Sequence, residues 1–245
     1  MSFWLFIWIL LSGALIGFSV WSFYISHAQK QAWRAFAEKH KLRFNISKPL
    51  SSPEVTGSFD DYAIGVLTSE HTTADARGVR KLTAVEISLK SEFPFAAAVA
   101  SGGMVPLMKV PDFGNEIRLE HEGWDPSYIA RSRNVAAMEG YLTKERMDIL
   151  TTLMKVKSFW VVFIFREGGA LLRVDTPDPL QETQKLESLV KRLIAAARKL
   201  ELAPGEGDRL MSLKAKKKAE DSKKAGIVEA PTSEKIELEL EDDNS

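Results

Sequence analysis

The sequence predicts an α+β protein: a mainly antiparallel sheet with packed helices, preceded by one transmembrane helix and followed by a disordered charged tail. Three observations predict it. Residues 3–25 carry no charged side chain. From 44 to 204, stretches of two-residue alternation and stretches of helical spacing follow in the order strands, helix, hairpin, helix. After Gly205 the apolar residues thin out and runs of like charge take over.

The opening run is long enough to span. At about 1.5 Å per residue it reaches roughly 35 Å, against a hydrocarbon core of about 30 Å. Trp4, Phe6 and Trp8 stand near one end, and Trp21, Phe23 and Tyr24 near the other, where aromatic rings settle at membrane interfaces. A cleaved signal peptide is the rival, since Ser26-His27-Ala28 has small residues at cleavage offsets. No basic residue precedes the run, however, and the run exceeds an ordinary signal core. Lys30, Arg34, Lys39, Lys41 and Arg43 all follow it, opposed by Glu38. The positive-inside rule therefore predicts an N-terminus outside and a domain in the cytoplasm of a bacterial inner-membrane protein. Gly13 and Gly17 form a G-x-x-x-G, the spacing that lets two spanning helices approach; this is a candidate helix-dimer contact, and so a candidate homodimer.

Residues 26–43 read as a juxtamembrane helix. Trp33, Phe36, Ala37 and His40 repeat at helical spacing, and the stripe is expected to pack on the domain with His40 at its edge. The domain proper, 44–204, opens with a hairpin turning at Asp60-Asp61. A polar connection, residues 68–81, is expected to be a loop carrying His71, Glu70 and Asp75. Val85, Ile87 and Leu89 then alternate as a strand with one wet face. Residues 93–114 are apolar but broken by Pro and Gly, and are read as irregular. A short strand follows through Ile117 and Leu119.

Gly140 is read as the end of a short helix and Thr143 as the N-cap of the next, with Met147, Leu150 and Met154 on one face. Residues 158–176 form the strongest hairpin: Phe159 to Phe165 is almost wholly apolar, and Gly168-Gly169 suits the turn. Asp178-Pro179-Leu180-Gln181 is read as a capping box opening the last helix, which Pro204-Gly205 stops. The tail, 205–245, holds a lysine run and an acidic end in which Ile236, Leu238 and Leu240 alternate. Its lysines suit anionic lipid, and its alternating end suits a partner's sheet edge.

Composition narrows function. Lys plus Arg equals Asp plus Glu, at 33 each, so nucleic acid is not an expected partner. The absence of Cys excludes disulfides, Cys-ligated zinc and thiol chemistry. No nucleophile-elbow, phosphate-loop, dinucleotide or zinc-helix motif occurs. His121 lies between Glu120 and Glu122, but in a strand the acids would face away from it. Ser101-Gly102-Gly103 reads as a turn or an anion nest, and Asn45-Ile46-Ser47 is a glycosylation sequon by pattern alone. No catalytic, cofactor-binding or metal residue is assigned and no cofactor is expected. Asp125 and Arg131 are a candidate ligand-facing or structural pair.

Several short elements together resemble a group of bacterial single-pass membrane-anchored proteins with a domain of unknown function. They are Trp33 with Ala37, Leu42-Arg43-Phe44, Gly57-Ser58-Phe59, and Asp125 with Tyr128 and Arg131. Tyr141-Leu142-Thr143 with Arg146, Leu150 and Leu153 completes the set. The likeness covers roughly residues 30 to 200 and departs at Asp60-Asp61, where a more basic or glycine-containing turn is expected. It implies the architecture and no activity. The expected function is a non-enzymatic, membrane-anchored interaction or scaffolding domain, touching lipid through its span and a protein partner through its domain or tail. A membrane-tethered enzyme or small-molecule sensor is the alternative.

Overall fold

The computed structural model describes residues 3–46, 51–72, 79–109 and 113–224. Its first element, α1 (Phe3–Lys39), is one unbroken helix of 37 residues, about 55 Å long. Residues 3–24 are exposed all round, whereas Ala32, Trp33, Phe36 and Ala37 are buried in the domain. The expected juxtamembrane stripe thus packs on the domain. The helix ends where Lys41 turns left-handed (φ 57°) and Leu42 N–H donates to Ala37 O.

Nine strands follow: β1 (Arg43–Asn45), β2 (Glu54–Phe59), β3 (Tyr62–Thr72), β4 (Val79–Ser88), β5 (Ala97–Ala100), β6 (Asn115–Ile117), β7 (Ile129–Ser132), β8 (Trp160–Arg166) and β9 (Gly169–Thr176). They form one antiparallel sheet in the order β1-β2-β3-β4-β9-β8-β5-β7-β6. The helices α2 (Val135–Tyr141), α3 (Lys144–Met154), α4 (Thr183–Leu200) and α5 (Glu206–Lys224) share the main core with the buried end of α1. A 3₁₀ segment, Gly102–Lys109, covers part of the opposite face, with Met104 and Met108 on Ala98, Ala100 and Val162.

The α+β class holds, and so do its strongest elements. Asp60 and Asp61 make the first hairpin turn with φ of 53° and 64°, which short polar side chains tolerate. Thr143 caps α3 through its side chain, and β8 lies sixth of nine, buried between β9 and β5.

Other expectations fail for identifiable reasons. The polar stretch read as a loop is largely strand, because β3 and β4 pair outward as far as Thr72 and Val79; Asp75 lies outside the described residues. Ala97–Ala100, read as irregular, is a central strand buried on both faces, so it shows no alternation. The strand through Ile117 stops there, and β7 pairs it where no strand was expected. Gly140 does not end α2 but lies within it. A Cβ there would meet Leu213 Cδ1 at 2.8 Å, so glycine lets α5 approach. The helix α4 starts at Thr183 rather than in a box at Asp178. Asp178 instead accepts from Leu180 N–H, and Leu180, at φ 51°, turns its side chain into the core.

The largest correction concerns the tail. Residues 206–224 are helical, and Leu210 is fully buried. Glu206 holds Arg146 through two bonds of 2.7 and 2.6 Å in a pair less than a tenth exposed. Arg146 also donates to Tyr141 O and Glu201 O. Residues 225–245, with the acidic alternating end, lie outside the described residues.

Two outcomes follow. Trp33 is fully buried, so Trp33→Ala is expected to cost roughly 4 kcal/mol in denaturant melts of the detergent-solubilised chain. Burial pushes the Glu206 carboxyl upward, but the Arg146 guanidinium and the Ala203 N–H outweigh it and hold it below its ordinary 4.5. A depressed folded-state value stabilises fully above that ordinary pH, and the contribution is lost as pH falls through the lower value. Glu206→Ala is expected to cost about 3 kcal/mol near neutrality and to flatten the acid limb of Tm against pH.

Candidate functional site

The sheet face opposite the main core carries a charged cluster that alternation along β3, β4 and β9 brings together. Gly65, Leu67, Ser69 and His71 share a face of β3; Glu86 lies across from Gly65, and Arg173 across from Glu86. Asp175, two residues on, shares that face and is completely buried. Its Oδ2 accepts from Ser69 Oγ at 2.5 Å and from His71 Nε2 at 2.6 Å. Arg173 donates to both carboxylate oxygens, at 2.7 and 2.9 Å, and to Glu86 at 2.8 Å. Burial pulls the guanidinium pKa down, but bonds to Asp175 and Glu86 outweigh this and raise it, so the arginine stays charged.

His71 meets Trp160 edge-on at 5.2 Å, and Arg80 lies over the same indole at 5.7 Å. Trp160 rests against Gly102 and Gly103, where a Cβ would come within 2.6 and 2.3 Å of the ring. Those glycines make room for the indole. Ser101 pairs with Val161 through its backbone N–H and its Oγ, so the segment is a packed turn.

The cluster contains Ser, His and Asp but not a relay. Nucleophilic catalysis needs the hydroxyl bonded to the imidazole. Here Ser69 and His71 both bond the same Asp175 oxygen, so the hydroxyl is committed to the carboxylate. What the arrangement does is tie β3, β4 and β9 together through a charge that could not otherwise stay buried. The sequence put His71 in a loop with acidic neighbours; its partner lies 104 residues away and carried no local signal.

The other singled-out residues are placed separately. His121 Nδ1 accepts from Gly123 N–H at 3.2 Å and Nε2 lies 3.0 Å from Asp148, so both ring nitrogens are engaged. No group of three or more His, Asp or Glu able to hold a metal occurs among the described residues. Asp125 and Arg131 have different partners. Asp125 accepts from the backbone and hydroxyl of Ser127, which hold its carboxyl below its ordinary value, whereas Arg131 donates to Met108 O at 2.6 Å. His40 packs between Phe36 and Phe59 at the edge of the α1 stripe. Gly13 and Gly17 face open space on the exposed part of α1. The sequon's Ser47 lies outside the described residues.

What distinguishes the molecule is therefore α1. Among the described residues it is the one helix long and apolar enough to cross a membrane, by length and composition. Its exposed run continues without interruption into a stripe buried under α4, where Thr183 Oγ donates to Ala32 O and Lys39 pairs with Glu187 at 2.6 Å.

No protein-family model matches this chain, and no curated protein matches it. Among solved structures, the chain is similar to the crystal structure of the mycobacterial trehalose monomycolate transport factor A, TtfA, with a TM-score of 0.41 and 10% identity. The match covers 76% of this chain and 95% of that one. A likeness that loose transfers nothing to this protein.

If Asp175 is the tie described, Asp175→Ala leaves Arg173 with Glu86 alone and takes the acceptor from Ser69 and His71, and is expected to cost about 3 kcal/mol in a urea melt followed by circular dichroism. His71→Ala is expected to cost about 1 kcal/mol, since it removes one hydrogen bond at a site 13% exposed.

Proposed function

We propose that this protein is a single-pass membrane protein of the bacterial inner membrane whose domain sits on the cytoplasmic side and works as a non-enzymatic interaction or scaffolding module. The observation that carries the reading is the continuity of α1, from an exposed apolar run of bilayer length into the buried Trp33-Phe36 stripe. A flexible tether would leave the domain free to tumble. An unbroken helix packed on the core fixes the domain's distance from the bilayer and the face it turns towards it.

Charge supports the orientation: the basic residues near the span all follow it. The committed bonds of Asp175, His71 and His121 favour a structural role for these polar groups over a catalytic one. Among the described residues outside α1, Val79 and Met211 are the large apolar side chains that stand exposed, so a partner would meet a mostly polar surface. Gly13 and Gly17 offer a contact for a second copy within the bilayer.

The test is biochemical. The chain is expected in the membrane fraction after alkaline carbonate washing, with a C-terminal fluorescent-protein fusion bright and an alkaline phosphatase fusion inactive. A soluble chain, or an active phosphatase fusion, would overturn the anchor or its orientation. For the interaction reading, pull-downs should compare the full chain with one cut after Lys216. A cut after Pro204 would remove Leu210 and Glu206 from the core. A specific partner recovered by the full chain is expected; none with either chain would sink the scaffolding role.

A further inference from the structure

A groove of about 350 Å³ lies where α1 leaves the domain. One wall is α1 itself, at Ser22, Ser26 and Gln29; the other is the β3–β4 ladder, at Thr68, Lys81 and Thr83. Ser22, Ser26 and Gln29 recur at i, i+4 and i+7, one helix face. The same face continues to Trp33, Phe36 and Ala37, which are buried. Thus the stripe that is apolar against the core becomes hydroxyl and amide for two turns at the end of the uncharged run, with Ser22 inside that run and Ser26 and Gln29 just past its last residue, Ile25.

The groove's position follows from the packing. The Asp60-Asp61 turn bonds Arg198, near the C-terminal end of α4, whereas Thr183 at the other end of α4 bonds Ala32. β3 therefore runs from the end of the domain remote from the apolar run towards the end nearest it. Thr68 and Lys81 stand at that near end. In a membrane-anchored chain this is the level of the phospholipid headgroups.

The chemistry of the walls is selective. No carboxylate among the described residues lines the groove. Lys81 supplies a cation whose side chain is 66% exposed; its contact with Glu70, at 3.7 Å with both groups exposed, is loose. The buried Thr68 hydroxyl has no hydrogen-bond partner among the described residues. Hydroxyl and amide donors around one mobile ammonium suit a phosphodiester, and the apolar face of α1 beside them suits an acyl chain.

We propose that this groove is a binding site for the headgroup of an anionic phospholipid, with Lys81 on the phosphate and Ser22, Ser26 and Gln29 around the glycerol. The proposal rests on the anchored reading above. Bound lipid would fill the notch between span and domain and brace the hinge-free junction against tilt.

The test uses the full chain in nanodiscs of equimolar phosphatidylglycerol and phosphatidylcholine, released into native mass spectrometry. Wild type is expected to retain one phosphatidylglycerol over phosphatidylcholine by about fivefold, the scale of one basic side chain at an anionic surface. Lys81→Glu is expected to abolish that preference, whereas Lys199→Glu, near the remote end of α4, leaves it intact. Equal retention of the two lipids by wild type, or equal loss in both variants, would overturn the site while leaving the anchor standing. Displacement of the lipid by excess inorganic phosphate would assign the groove to soluble anions and also overturn it. A chain that fails to enter nanodiscs and stays soluble in cells fails the anchored reading first, and the two failures are thereby distinguished.

Discussion

Everything in this molecule hangs on α1, one helix whose two parts have different surroundings: an exposed apolar run and a stripe buried in the domain. Its first part is apolar on every side, which suits hydrocarbon. Its last three turns are apolar on one face, and that face is spent on the sheet and α4. The bond from Thr183 to Ala32 and the ion pair of Lys39 with Glu187 hold the crossing. Lys191 and Lys39 together hold the Glu187 carboxyl down at about 2, so the staple keeps its charge through any physiological pH. Because no break separates the two parts, the domain's attitude to the apolar run is set by helix packing rather than by a linker.

The sheet makes that possible by burying much of both faces. Helices cover one face along its length, and the Gly102–Lys109 segment covers part of the other. Between the covered parts, charges are enclosed in two places, each with its counter-charge in contact: Asp175 with Arg173, and Arg146 with Glu206. Removing Arg173 leaves the Asp175 charge enclosed, and breaking the second pair leaves Arg146 or Glu206 enclosed, which explains why both sites read as structural despite their chemistry. The Arg146 pair also binds α5 to the body, so the chain after Gly205 begins as part of the fold.

This has a consequence for function. The side chains that resemble catalytic groups are already bonded to one another, and the polar groups with spare capacity cluster instead where α1 meets the domain. Ser22, Ser26, Gln29 and Lys81 lie along one seam, where the exposed apolar run of α1 meets the domain. In the anchored arrangement proposed above, a domain held rigidly there is placed to contact lipid and membrane partners together.

The sequence by itself determined what depends on neighbours along the chain. The uncharged run, the Trp33 stripe, the Asp60-Asp61 turn, the Thr143 cap and the apolar β8 are each written in a few consecutive residues, and each formed. Tertiary structure decided what depends on residues far apart. Ala97–Ala100 is a strand because β7 and β8 flank it, although four small apolar residues show no period. His71 belongs to a strand because Arg80 pairs it, and meets Asp175 because β4 lies between their strands. Glu206 and Leu210 are buried, and the start of α5 belongs to the fold, because Glu206 finds Arg146 and Leu213 finds Gly140; composition alone marked this stretch as solvated tail. Local signals fix dihedrals and faces, but burial of a charge or a small residue is a property of its partners, which only the assembled sheet supplies.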